Sequence, residues 1–260
     1  MSHQNSGSKI FNKLRELERI HDIKIILAVE AGSRAYGLDS PDSDYDVRFI
    51  YSHRRDWYLS VALEEQRDVI ELPFSDGLDI HGWDLRKSLR LFWKSNPGFI
   101  EWIQSETVYE SHGAFRDQVK NLIPMIYSTA GGIHHYINMA IRSQKSCNLE
   151  SPSIKTYLQT LRALLSALWL ERHHTPAPIE FKKLYLSLNL EQDLQNDIST
   201  LVYNKRNSIE TTDTEVYSLV HNFIIRQLNK PASRHPKIKR DDAQPLLSEL
   251  FRSTLSELWD

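Results

Sequence analysis

The chain has 260 residues, 40% of them hydrophobic, and its 32 Lys+Arg against 34 Asp+Glu leave a formal net charge of −2. This is enough for one large or two modest domains with a proper core, and the balanced charge argues against a generally basic nucleic-acid-binding surface while allowing a local basic patch. The single cysteine, Cys147, excludes an intramolecular disulfide and a cysteine-rich zinc site, no apolar run is long enough to span a bilayer, and the start MSHQNSGSK lacks a signal-peptide core, so a soluble, cytoplasmic protein without a membrane partner is expected.

In chain order, Ile10, Leu14, Leu17 and His21 fall at helical spacing, predicting a helix over residues 8–21 with Ser8 as its N-cap. Residues 23–31 are apolar and β-branched, the profile of a buried strand. The segment GSRAYGLDSPDSD is too polar and too punctuated for helix or strand. Asp46 to Tyr51 reads as a second strand, with shorter strands over 66–72 and 77–81. From Asp84 the pattern becomes helical, with Leu85, Leu89 and Phe92 on one face and the Asp84 charge suited to the N-terminal end of the dipole. Pro97 opens another short helix, to about Gln104. Beyond Pro124 and Gly131-Gly132, residues 133–145, 153–172, 179–188, 191–204 and 213–229 all read as helices. A basic, proline-containing stretch follows, and then a last amphipathic helix carrying Leu246, Leu247, Leu250, Phe251 and Leu255.

The segment from Ala28 to Tyr51 carries the chemistry. A buried strand runs into Gly32-Ser33, and ten residues later Asp44 and Asp46 enter a second strand. Gly32 lets backbone N–H groups approach phosphate oxygens, and Ser33 adds a small hydroxyl donor. Two acids two apart on an extended segment present both carboxylates on one face, which suits Mg²⁺, a hard cation bound through a few carboxylates, phosphates and water. A bare Asp-x-Asp is in most cases a pair of solvated turn residues. The full order of strand, Gly-Ser, loop, Asp-x-Asp and strand is far more specific.

That order resembles the hallmark of polymerase-beta-type nucleotidyltransferases. More narrowly, AVEAGSRAYGLDSPDSDYDVRFIY is similar to the RNA-ligase-associated polymerase-beta family (RlaP), and so are DIHGWDLRKSLRLFWKSNPGFIEWIQSETVY and KTYLQTLRALLSALWL further on. Tyr36 stands where many relatives carry a Trp. The resemblance implies a third acid on a neighbouring strand. Asp79, flanked by Leu78 and Ile80, matches best, with Asp68, Glu71 and Asp84 as alternatives. It also implies a helical domain in which Lys155 reaches a triphosphate, with Tyr157 and Arg162 beside it in the same segment.

Arg34 lies next to the phosphate loop as a brace for the triphosphate, against the plain reading of a solvated loop arginine. Lys87, one turn into the helix after Asp84, is a weaker candidate, as is Lys205-Arg206. His134-His135 and His173-His174 are adjacent pairs whose side chains diverge by ~100° on a helix, which favours structural roles. Lys230, Arg234, Lys237, Lys239 and Arg240 read as a solvated linker, with a nucleic-acid contact as the sharper alternative.

The expectation is therefore an α+β protein: a nucleotidyltransferase domain with a small mixed sheet over 1–124, and a helical domain over 125–260 that closes the nucleotide cleft. It would use Mg²⁺, with Mn²⁺ as a substitute, to move an NMP from an NTP such as ATP to an acceptor hydroxyl. The resemblance points to an RNA end, tRNA included, and to association with an RNA ligase. The alternatives are nucleotidylation of a protein or small molecule, and a non-catalytic nucleotide sensor.

Overall fold

The computed structural model describes residues 3–145, 153–209, 217–230 and 243–260, with side chains from residue 6 onward. It is an α+β protein divided into two compact units. One unit holds the described residues up to Ala35, then Asp44–Tyr127, and the C-terminal helix. The other holds Tyr36–Ser43 and the helices from Ser128 onward.

The first unit is built on five strands: β1 (Lys24–Glu30), β2 (Tyr45–Ser52), β3 (Val69–Glu71), β4 (Leu78–Asp84) and β5 (Val108–Ser111). They lie in the order β3–β4–β2–β1–β5. β2 and β4 are parallel, and the other neighbours are antiparallel. The run KIILAVE forms β1 because every residue after Lys24 has a core to enter. A register shift between Ile25 and Leu27 breaks the alternation, so that Ile26 and Leu27 both enter the same core layer.

On one face, helix α1 (His3–His21) lays Ile10, Leu14 and Leu17 against Ile25, Val47, Phe49, Tyr51 and Ile80. Ser8 lies inside α1 and not at its cap, because the helix begins earlier than the apolar spacing shows. On the other face, Leu27, Val29 and Ile50 meet α3 (Leu85–Trp93), α4 (Pro97–Gln104), α5 (Phe115–Ile126) and α11 (Ala243–Trp259) through Leu85, Phe92, Phe99, Val119, Leu247 and Leu250. Gly82 faces Phe49 across the parallel register, and a Cβ there would overlap the Phe49 ring.

Four further features depart from the sequence reading. The four-residue β5 and the helix α5 went unread, the first because it is too short to show alternation. Pro124 sits inside the C-terminal end of α5, not as a boundary. The last helix, expected with the helical half over 125–260, belongs to the sheet unit, where its apolar face completes the core against α3 and α5. Its leucines specify burial without naming a partner.

In the second unit, α7 (Ile154–His173) is buried along most of its length among α6 (Thr129–Lys145), α8 (Phe181–Leu186), α9 (Gln192–Arg206) and α10 (Ser218–Leu228). Ser153 caps α7 by accepting from Thr156 N at 3.3 Å. Residues 36–43 join this unit too: Phe181 N donates to Tyr36 O at 3.0 Å, and the Arg162 guanidinium lies 4.0 Å over the Tyr36 ring. No helix among the described residues is long and apolar enough to cross a membrane.

Asp84 marks the junction of β4 and α3. It is 1% exposed and accepts from Arg86 N at 2.8 Å and from Tyr58 Oη at 2.7 Å. Burial pushes its pKa up from 3.8 to about 6, against the opposing effect of those hydrogen bonds. The folded state therefore binds the Asp84 proton more tightly than the unfolded chain does. Stability from this group is greatest below the unfolded pKa and declines as pH rises through about 6. Asp84→Asn keeps the acceptor oxygen without the charge. Its melting temperature should gain on that of the native chain as pH rises from 4 to 7, in parallel thermal melts.

Candidate active site

The sheet gathers the chemistry at one end. β1 finishes at Glu30, and β2 starts beside it because the two strands are antiparallel, with Glu30 opposite Val47. β4 runs parallel to β2, so its start lies at the same end, and Asp46 is in direct register with Asp79. Asp79 is thereby distinguished from the other acids considered for a third carboxylate. Asp84 is at the opposite end of β4, about 16 Å away at the rise of a strand. Asp68 pairs with Lys87 at 2.8 Å, and Glu71 pairs with Arg67 and His81 on the edge strand. Lys87 is likewise placed at the Asp84 end, away from Asp46.

Gly32 and Ser33 open the short helix α2 (Gly32–Ala35) immediately after β1. Gly32 has φ +60°, and a Cβ there would overlap Asp46 Oδ2. The residue is therefore required twice, for its backbone angle and for the carboxylate lying against it. The backbone ties the same pieces together, with Ala31 N donating to Asp46 O at 2.8 Å.

Asp46 is half-buried. Its pKa is raised, first by burial and then by the charges of Asp79 and Asp44, with Arg48 opposing. Arg48 Nη2 donates to Asp46 Oδ1 at 3.1 Å and to Asp79 Oδ2 at 2.6 Å, while Nη1 donates to Asp79 O at 2.9 Å. Asp44 stands one residue before β2 and is exposed. Its carbonyl accepts from Arg34 Nε at 3.1 Å, and the Arg34 guanidinium lies 4.1 Å over the Tyr45 ring. Arg34 is thus held beside the acids, next to the Gly-Ser turn.

Behind Asp46 sits Glu30, 2% exposed. Its Oε1 accepts from Asp46 N at 2.9 Å, and its Oε2 accepts from Tyr109 Oη on β5. Burial raises the Glu30 pKa, with both hydrogen bonds working the other way. Glu30, Arg48 and Tyr109 were not singled out from sequence. The first two had a readable signal: an acid ending an apolar strand, and a cation two residues after Asp46 on the same face. Tyr109 had none, since its strand was not recognised.

The helical-unit candidates differ among themselves. Tyr157 is 4% exposed, and its hydroxyl lies 3.2 Å from His221 Nδ1, so its ring is part of that unit's core. Arg162 is 9% exposed and stacks on Tyr36. Lys155 is exposed near the start of α7. Lys230 is exposed, while Arg234, Lys237, Lys239 and Arg240 lie outside the described residues.

A model of the RNA repair pathway DNA polymerase beta family (RlaP) matches residues 7–253. The chain belongs to this family. It is also 39% identical over 254 residues to the uncharacterized protein YcgL of Bacillus subtilis (strain 168), with 96% of this chain and 97% of that protein covered. Among solved structures, a nucleotidyltransferase-like protein from Exiguobacterium sibiricum 255-15 aligns with TM-score 0.31 and 14% identity, over 94% of this chain and 77% of that one. Membership of RlaP makes the chain a polymerase-beta-type nucleotidyltransferase of RNA repair.

The donor set fits a hard divalent cation: carboxylate oxygens of Asp46 and Asp79 stand side by side, with Asp44 adjacent. Among the described residues, no three His, Cys, Asp or Glu side chains converge as a finished metal cage. The two paired acids are instead oriented around the Arg48 guanidinium.

Gly32→Ala should lower the melting temperature, because alanine is strained at that backbone angle and its Cβ meets Asp46, and should reduce nucleotidyl transfer by the folded protein by about 10²-fold, since displacing the Asp46 carboxylate by about 1 Å disturbs the reacting geometry. Asp79→Asn should cost several orders of magnitude and Asp84→Asn little, measured on the same preparation. The reverse ranking would move the third-acid role to Asp84.

Proposed function

We propose that this protein transfers a nucleoside monophosphate from an NTP to a hydroxyl at an RNA end, tRNA included, with release of pyrophosphate. The observation that carries the proposal is the direct register of Asp46 with Asp79 beside the Gly32-Ser33 turn. Family membership supports RNA repair as the setting, and within it a ligase that reseals the extended end is the natural partner.

In this reading Gly32 and Ser33 receive the β- and γ-phosphates through backbone N–H groups and the Ser33 hydroxyl. Arg34, braced on Tyr45, offers a fixed guanidinium to the triphosphate. Asp44, Asp46 and Asp79 would hold Mg²⁺, or Mn²⁺ in its place, and the ion would supply a Lewis acid for the attacking hydroxyl and for the charge on the leaving pyrophosphate. Asp79, with its side chain 44% exposed against 26% for Asp46, is the more open to the acceptor and takes the hydroxyl proton. The new bond joins the acceptor oxygen to the α-phosphorus as the bond from that phosphorus to pyrophosphate breaks. Glu30 holds the Asp46 backbone from behind and so fixes where that carboxylate stands.

The test is incubation with each labelled NTP and total cell RNA, in parallel with cell protein, with and without Mg²⁺. Label should enter RNA only with Mg²⁺ present. The Asp44→Ala/Asp46→Ala double variant should lose transfer completely while keeping its circular dichroism spectrum, because it removes two neighbouring like charges from the start of β2. Transfer at the native rate in that variant would overturn the site. Label in protein instead of RNA would keep the chemistry and replace the acceptor.

A further inference from the structure

Arg48 lies two residues beyond Asp46 on the same face of β2 and is 19% exposed. Its Nη1 donates to two backbone carbonyls, Asp79 O at 2.9 Å and Val47 O at 3.2 Å. Its Nη2 donates to one oxygen of each acid, Asp79 Oδ2 at 2.6 Å and Asp46 Oδ1 at 3.1 Å. Four acceptors on two adjacent strands fix the plane of this guanidinium. It stays charged at any working pH, since arginine does not deprotonate in proteins.

The position has an electrostatic consequence. Two carboxylates in register at a half-buried site repel, and one fixed cation between them offsets much of that repulsion. The same cation opposes a divalent ion approaching the pair. Asp46 Oδ2, which lies against Gly32, and Asp79 Oδ1 are the oxygens that Arg48 does not engage. A metal using them would sit a few ångströms from a permanent positive charge. A triphosphate arriving with the metal brings compensating negative charge.

We propose that Arg48 is the resident counter-ion of the Asp46–Asp79 pair and keeps divalent cations off the free protein, so that metal and nucleotide triphosphate enter together. This rests on the reading of Asp46 and Asp79 as cation ligands.

In the experiment the full-length protein is dialysed to equilibrium against Mn²⁺, with and without a saturating non-hydrolysable ATP analogue at one concentration on both sides, and the excess Mn²⁺ on the protein side is read by electron paramagnetic resonance after acid release. The native protein should bind Mn²⁺ at least about tenfold more tightly with the analogue than without it. Without the analogue, Arg48→Met and Arg48→Gln should each bind Mn²⁺ at least about tenfold more tightly than the native protein, because a neighbouring unit charge has been removed. Arg48→Lys keeps the charge and should stay within about threefold of native. Circular dichroism and melting temperature check each fold, and the analogue dependence of the native protein stands as a test even where a variant does not fold. Neutral variants that bind no more tightly than native, or native binding indifferent to the analogue, would overturn the proposal. Asp46→Asn and Asp79→Asn separate the two levels of the argument. If both abolish Mn²⁺ binding while Arg48→Met gains nothing, the metal site stands and the role of Arg48 falls. If the gain in Arg48→Met persists after Asp79→Asn is added, the ion binds elsewhere and the reading of the acids falls with it.

Discussion

The parallel pairing of β2 with β4 is the constraint on which the rest of the site depends. It sets Asp46 beside Asp79 in register and obliges the fold to hold two carboxylates together at the edge of a low-dielectric interior. The cost appears in the raised pKa of Asp46, driven by burial and by its acidic neighbours. Arg48 offsets it by spanning both carboxylates, while two backbone contacts hold the strand in place: Glu30 takes the Asp46 N–H, and Ala31 donates to the Asp46 carbonyl. Gly32 then completes the arrangement by leaving room for the Asp46 carboxylate.

The two ends of the sheet are put to different uses. At the start of β2 and β4, the acids are partly open and the turn residues are exposed or half-buried. At the other end, Asp84 is closed in beneath Tyr58 and serves as the cap of α3. Both are acids on one seven-residue strand. Their surroundings differ because α3 begins directly after Asp84 and needs an acceptor for its first N–H groups, whereas the Asp79 side chain stays 44% exposed beside Arg48. The apolar layers on the two faces of the sheet hold both ends to one frame.

Neither unit is a continuous stretch of chain. The loop between the Gly-Ser turn and the acids packs in the helical unit through Tyr36, which is held by Arg162 and Phe181. The last helix returns to the sheet unit. The segment that runs from Gly32-Ser33 to Asp44 and Asp46 thus contributes to both compact bodies, with residues 36–43 packed in the helical one.

Much of this was legible in the chain itself. The apolar run before Gly32, the Asp-x-Asp entering a strand, Pro97 opening α4 and the periodic helices from α6 onward are local patterns, and local patterns survive translation into structure because neighbouring residues alone set them. The glycine before Asp46 could be picked out for its missing side chain, but the atom that fills the space could not. The tertiary structure decided what depends on residues far apart in sequence. It placed Asp79, among four candidate acids, opposite Asp46, put Arg48 between them, set Glu30 and Tyr109 behind, and sent α11 to the sheet. Strand register and helix docking depend on which distant surfaces meet, and a row of leucines or a lone acid specifies that it must be buried or paired without specifying with what.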